Sequence, residues 1–149
     1  MIKVYIASSW KHQHAVELLT SEIRKLGFDV RSWIENNYGE NPNSASSEKA
    51  KKFDFDEWID TKAARAAFRY DTHGAAYSNI FIYLGNAGKD AAAECGICYG
   101  QKMNGAPVHM YALYAKGEDF GLMRKMFDQW FERTADLLGA LKKYENLAQ

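Results

Sequence analysis

Hydrophobic positions along the chain alternate between a strand rhythm and a helix rhythm. Val4-Tyr5-Ile6-Ala7 is a short β-branched and aromatic run, as expected of a buried strand. Ser8 and Ser9 offer capping hydroxyls to a helix over about 11–26, with Ala15, Leu19, Ile23 and Leu26 on one face and Gly27 as its stop. Phe28 to Trp33 then alternates apolar and polar residues like a second strand. A polar stretch over 35–52 holds Gly39 and Pro42 and is expected to be a flap. The helical rhythm returns over about 55–77, where Trp58, Ile59, Ala63, Ala66, Ala67 and Tyr70 share a face. Ile80 to Leu84 is continuously apolar, like the centre of a parallel sheet. Gly85 to Lys89 makes a turn, Asp90 can cap, and a helix follows to about Met103. A strand over 107–113 and two helices, about 119–132 and 134–146, complete the chain.

Strands alternating with helices imply an α/β fold, a flavodoxin/Rossmann-like doubly wound parallel sheet of four to five strands with helices on both faces. An order 2-1-3-4 places a ligand crevice where the strand order reverses, between the end of the first strand (Ser8, Ser9, Trp10) and the segment Gly85 to Glu94.

Composition narrows the partners. One domain of 149 residues, 47% hydrophobic with 4 Trp, 9 Tyr and 8 Phe, can bury a real core. The 19 basic and 19 acidic residues cancel, so no polymeric nucleic acid is expected, and near-neutrality leaves self-association into a homo-oligomer unopposed. No apolar run approaches the ~20 residues of a membrane span, and the N-terminus has no signal-peptide pattern; a soluble cytoplasmic domain is expected. Cys95 and Cys98 exclude a disulfide framework. Lacking two further ligands at metal spacing, they fit small buried thiols better than a zinc or redox site. His12 and His14, two apart on a helix, read as surface residues. The stripe Phe120, Met123, Phe127, Trp130 reads as core or subunit interface.

The informative segment is Gly85-Asn86-Ala87-Gly88-Lys89-Asp90-Ala91-Ala92-Ala93-Glu94. It is too short between its glycines for a P-loop and has Asp90 where a magnesium-binding hydroxyl belongs, though its amides could hold a single phosphate. With Asp90 as cap, Glu94 falls one place too late for a capping box, so helix chemistry does not require it. Three alanines leave it room, and the helix dipole favours its ionised form, as a nucleophile needs.

Three motifs, in order and spacing, resemble the nucleoside 2-deoxyribosyltransferase family and the related deoxynucleotide N-glycosidases over residues 3–112. They are Tyr5-Ile6-Ala7-Ser8-Ser9-Trp10, Asp71 ahead of the third strand, and Glu94-Cys95-Gly96-Ile97-Cys98-Tyr99, which is similar to the family's Glu-x-Gly-x-Ala helix start. Two positions depart from the family: Asp90 stands where a Gly is common, and Gly88 where an acid or Ser is usual.

The resemblance implies cleavage or transfer at the N-glycosidic bond of a deoxynucleoside or its 5′-monophosphate. Glu94 would be the nucleophile forming a covalent glycosyl-enzyme, and Tyr5 would orient it. Asp71 would bind the nucleobase edge and help protonate it. Ser8 and Ser9 would donate to a 5′-hydroxyl or 5′-phosphate, Trp10 would stack on the base or plug the helix–loop junction, and Gly88 and Asp90 would border the substrate. No metal or organic cofactor is required. The alternatives are a TIR-like glycohydrolase of NAD or a nucleotide signal, and a non-catalytic nucleotide-binding module on the same fold.

Overall fold

The structure, a computed structural model, describes residues 1–36 and 54–147. Five parallel strands, β1 (Lys3–Ala7), β2 (Asp29–Ser32), β3 (Ile80–Leu84), β4 (His109–Leu113) and β5 (Gln129–Phe131), lie in the order β2-β1-β3-β4-β5. The doubly wound sheet and its reversal between β1 and β3 are as expected. The helices are α1 (Gln13–Lys25), α2 (Trp33–Asn36), α3 (Phe55–Ile59), α4 (Lys62–Tyr77), α5 (Lys89–Met103) and α6 (Thr134–Lys142).

The period of two along the strands divides the core. Val4, Ile6, Ile80 and Ile82 face one side, where Leu19 and Ile23 of α1 and Leu137 and Leu141 of α6 cover them. Tyr5, Ala7, Phe81 and Tyr83 face the other, against Ala75 of α4 and Ala91, Cys95 and Cys98 of α5. Each of the buried isoleucines contributes roughly 1.5–3 kcal/mol by leaving water. This register sends the Tyr5 ring towards α4 and α5.

Several expectations need correction. Val16, not the exposed Ala15, completes the buried face of α1, and Leu26 is only half-buried. Gly27, at φ +85°, does end that helix. The stretch 55–77 is two helices, because Thr61 starts a new one: its side chain accepts from the Ala64 N–H and donates to the Trp58 carbonyl. The buried residues of α4 are Ala64 and Ala75, whereas Ile59 and Ala66 are exposed.

The helix expected over 119–132 is a 3-10 turn (Gly121–Met126) followed by β5. Gly121 at φ +71° interrupts any helix there, and Asp128 accepts from the Met110 N–H at 2.8 Å, which docks the segment on β4. The Phe120–Phe127–Trp130 spacing mimics a helix, yet Trp130 stacks on Tyr114 at 4.1 Å as part of the aromatic packing beside β4. Of the flap expected over 35–52, Glu35 and Asn36 close α2 and the rest lies outside the described residues. No described helix is long and apolar enough to cross a membrane.

Candidate active site

The turn after β3 is built by its own backbone and neighbours. Gly85 N–H bonds to the Leu113 carbonyl at 3.0 Å, the Tyr83 hydroxyl accepts from the Ala87 N–H at 3.0 Å, and His12 Nε2 meets the Asn86 carbonyl at 2.8 Å. A Cβ on Gly85 would stand 2.7 Å from the Tyr114 ring, so only glycine lets that ring close over the turn. His12, read from spacing as a surface residue, is therefore a tether between the start of α1 and this turn; nothing in its local sequence signals it.

The cap of α5 is Gly88, without a side-chain bond, and Asp90 is the helix's second residue, which corrects the expected Asp90 cap. Glu94 then sits in the second turn. Its side chain points back towards the helix start. Ala91, one turn earlier, is buried and small beneath it.

Glu94 is only 5% exposed, and its Oε2 is buried with no hydrogen-bond partner among the described residues. The Tyr5 hydroxyl donates a long bond to Asp71 Oδ1 at 3.4 Å and also lies against Glu94. One phenol proton cannot satisfy two carboxylates at once. Burial accordingly pushes the Glu94 carboxyl up to about 9, reinforced by the Asp71 and Asp90 charges and opposed by the Tyr5 hydroxyl. Burial likewise raises Asp71 to about 7, against the Tyr5 hydrogen bond. Burial and the two acids hold the Tyr5 phenol far above its ordinary value, so it remains a neutral donor. The helix dipole was expected to keep Glu94 ionised; desolvation outweighs it, because a dipole worth ~0.3–1 kcal/mol cannot match several kcal/mol of lost hydration.

Tyr5 reaches both acids because of Gly74. A Cβ there would lie 2.3 Å from Tyr5 Cδ2 and 2.4 Å from Cε2. Asp71 and Gly74 are three apart on α4, hence on one face: the glycine seats the ring while the acid one turn back meets the hydroxyl. The family resemblance pointed to Tyr5 and Asp71 but not to Gly74, whose only sequence signal is a glycine inside a helical run.

A cavity of about 420 Å³ opens over these groups and is lined by Ser8, Ser9, Trp10, Asp71, Gly88, Asp90 and Glu94. Tyr5 lies beneath this cleft, touching it through Asp71 and Glu94. Lys89 and Ala91, within the segment Gly85 to Glu94 expected to face the crevice, also line it, as do Trp33 and Phe55, which were not foreseen. The Ser8 hydroxyl donates to the Leu84 carbonyl at 2.9 Å, which ties β1 to β3 and leaves its lone pairs, not its proton, for a ligand. Ser9 caps the turn ahead of α1, accepting from the Lys11 N–H at 3.4 Å. Trp10 meets Trp33 edge-on at 4.8 Å, and the Trp33 indole N–H bonds to the Ser8 carbonyl at 2.9 Å. A Cβ on Gly88 would meet open space, so its value is access to the helix start. Cys95 and Cys98 are fully buried behind the site, where burial raises both thiols, Cys98 to about 12; they pack as small hydrophobes.

No family model and no curated protein matches the sequence. Solved structures do match its fold. A 2-deoxyribosyltransferase from Bacillus psychrosaccharolyticus is similar over 93% of this chain and 95% of its own, at 22% identity and a TM-score of 0.61. A conserved protein from Enterococcus faecalis V583 matches over 96% and 98%, at 19% identity and 0.60. A CMP N-glycosidase from Clostridium botulinum matches over 95% and 99%, at 15% identity and 0.53. The resemblance expected from the three motifs thus holds at the level of the fold.

Proposed function

We propose that the chain breaks the N-glycosidic bond of a nucleoside or its 5′-monophosphate, passing the sugar to water or to a second base through Glu94. The observation that carries this reading is the buried Glu94 carboxyl with an unpartnered oxygen, beside a second raised acid and a neutral phenol, at the mouth of a cavity. Two carboxyls sharing one proton is the arrangement that displacement at an anomeric carbon needs. The fold of the deoxyribosyltransferase and the CMP N-glycosidase supports the same chemistry.

Between about 7 and about 9 the pair carries one proton, and Glu94, the more strongly raised acid, holds it more often. The reactive form is the minor one in which Asp71 holds it and Glu94 is ionised. A Glu94 oxygen bonds to C1′ as the C1′–N bond breaks, and its electron pair leaves with the base, which takes the Asp71 proton. Tyr5 follows the charge, donating to whichever carboxylate is ionised. Asp71, now a base, then deprotonates a water; its oxygen attacks C1′ and frees Glu94. A second base attacking C1′ gives transfer instead. The sugar and its 5′ group lie against Ser8, Ser9, Gly88 and Lys89, with Trp10 and Asp90 bordering them. The burial that raises Glu94 also makes its ionised form reactive, because little water shields it.

Incubation with deoxynucleosides and their 5′-monophosphates, with and without a free base, tests the reading by chromatography. Release or exchange of base is expected; no base change across the panel refutes it.

A further inference from the structure

The cavity over Glu94 is one half of a two-lobed cleft. A second lobe of about 220 Å³ runs between α3, α4 and α5 and shares Phe55, Asp71, Asp90 and Glu94 with the first. We propose that this second lobe holds an apolar group carried by the leaving base on its edge remote from the sugar, so that the preferred substrates are N-glycosides of hydrophobically substituted aromatic bases. The inference rests on the glycosidic reading of Glu94 and adds the substrate class.

The chemistry of the lining separates the lobes. The first presents Ser8, Ser9 and Lys89. The second presents Phe55, Trp58, Ile59, Phe68 and Ile97, and no cation lines it among the described residues. Its one neutral hydroxyl, on Thr72, already donates to the Phe68 carbonyl at 2.7 Å. Beyond the shared carboxyls and the single indole N–H of Trp58, no described side chain there brings a proton to the edge of an unmodified base. What remains is contact with aromatic and aliphatic surface.

Charge argues the same way. Asp71, Asp90 and Glu94 stand at the waist, so a phosphate on this side would meet only acids and is directed to the Lys89 lobe. A neutral, weakly basic aromatic suits the waist, where Asp71 can protonate it. Size fits one further ring or a branched alkyl chain, since an apolar cavity of ~150 Å³ accepts benzene. The exposed Phe68 (68%) and Ile59 (45%) would lose water contact on occupation, giving the substituent a reason to bind.

The test uses deoxyribosides of one base that carry hydrogen, methyl or benzyl at the position remote from the glycosidic bond. In the wild-type protein kcat/KM is expected to rise at least tenfold from hydrogen to benzyl. In Phe68→Ser that gain should fall below threefold, and Phe68→Leu should restore most of it. The fold should tolerate both changes at so exposed a position. A gain that is absent, or that survives Phe68→Ser, overturns the proposal. A stable oligomer in light scattering that Phe68→Ser dissociates also overturns it, because a second copy would then own the groove.

Calorimetry with the free benzyl-substituted base separates this inference from the reading beneath it. Tighter binding than the unsubstituted base, without turnover of any deoxyriboside, refutes the glycosidic reading and leaves the lobe. Turnover without any substituent preference does the reverse.

Discussion

Gly74→Ala isolates the contact that seats Tyr5. In an ordinary helix interior this change stabilises a protein by roughly 1 kcal/mol, because alanine loses less backbone freedom on folding. Here the new methyl would lie 2.3 and 2.4 Å from two Tyr5 ring carbons, against a carbon–carbon contact distance of ~3.5–4.0 Å. The ring or the helix must therefore yield by about 1 Å or more. Tyr5 is 1% exposed on a strand paired on both sides, so there is little free space to yield into. Overpacking of this kind costs about 1–3 kcal/mol, which cancels the gain and leaves a net loss of up to about 2 kcal/mol.

Function should suffer more than stability. An error of about 1 Å in a positioned group can cost on the order of a hundredfold, so kcat for base release should fall by roughly that factor while KM changes little. The internal control is Gly139→Ala in α6, where a Cβ meets nothing within 4 Å. That variant should gain up to about 1 kcal/mol and keep its kcat. Urea unfolding and steady-state kinetics on both variants decide the matter. If Gly74→Ala is stabilised as Gly139→Ala is, with kcat unchanged, the seating argument is wrong.

The pH dependence carries the further predictions. The profile of kcat/KM should be a bell, highest between about 7 and about 9: below that range Asp71 and Glu94 both hold protons and no nucleophile exists, and above it no acid remains. Asp71→Asn removes both the pair's acid and a charge that raises Glu94. The bell should then give way to a single rise with pH, centred below about 9, as overall activity falls; a bell that keeps its alkaline limb contradicts the pairing. Tyr5→Phe deletes the bond that lowers both carboxyls, so the whole bell should shift to higher pH. Stability should carry the same signature. Because folding raises Glu94 from 4.5 to about 9, the folded state holds a proton that the unfolded chain releases, and stability falls with rising pH across that window. Glu94→Gln removes the penalty, which has a ceiling of about 6 kcal/mol. A realised gain on the order of 2–3 kcal/mol above pH 9, vanishing below pH 4.5, should appear as a Tm difference that grows with pH. A pH-independent Tm difference refutes it.

The first four strands of the parallel sheet were legible because each was a short apolar or alternating run between turn residues, Ile80–Leu84 above all. Glu94 drew notice because no capping role explained it, and Asp71 through the family resemblance; the structure brings both to one cavity. The C-terminal third was not. A 3-10 turn and a short strand with aromatics three and four apart look helical, and only the left-handed backbone of Gly121, together with Asp128 binding a distant backbone amide, shows otherwise. The upward shift of the Glu94 carboxyl was also hidden, because burial depends on what α4 and β1 bring over it. Contacts that join distant segments, such as His12 to Asn86 and Gly74 to Tyr5, leave no local trace in either partner.

The most direct test of the central claim is mass spectrometry on protein acid-quenched during turnover of a deoxynucleoside, followed by peptide mapping. The account predicts a deoxyribosyl adduct on the peptide containing Glu94, absent in Glu94→Ala, whose base release should fall by roughly a thousandfold or more. Undiminished base release by Glu94→Ala, or an adduct mapped to another residue, would contradict it.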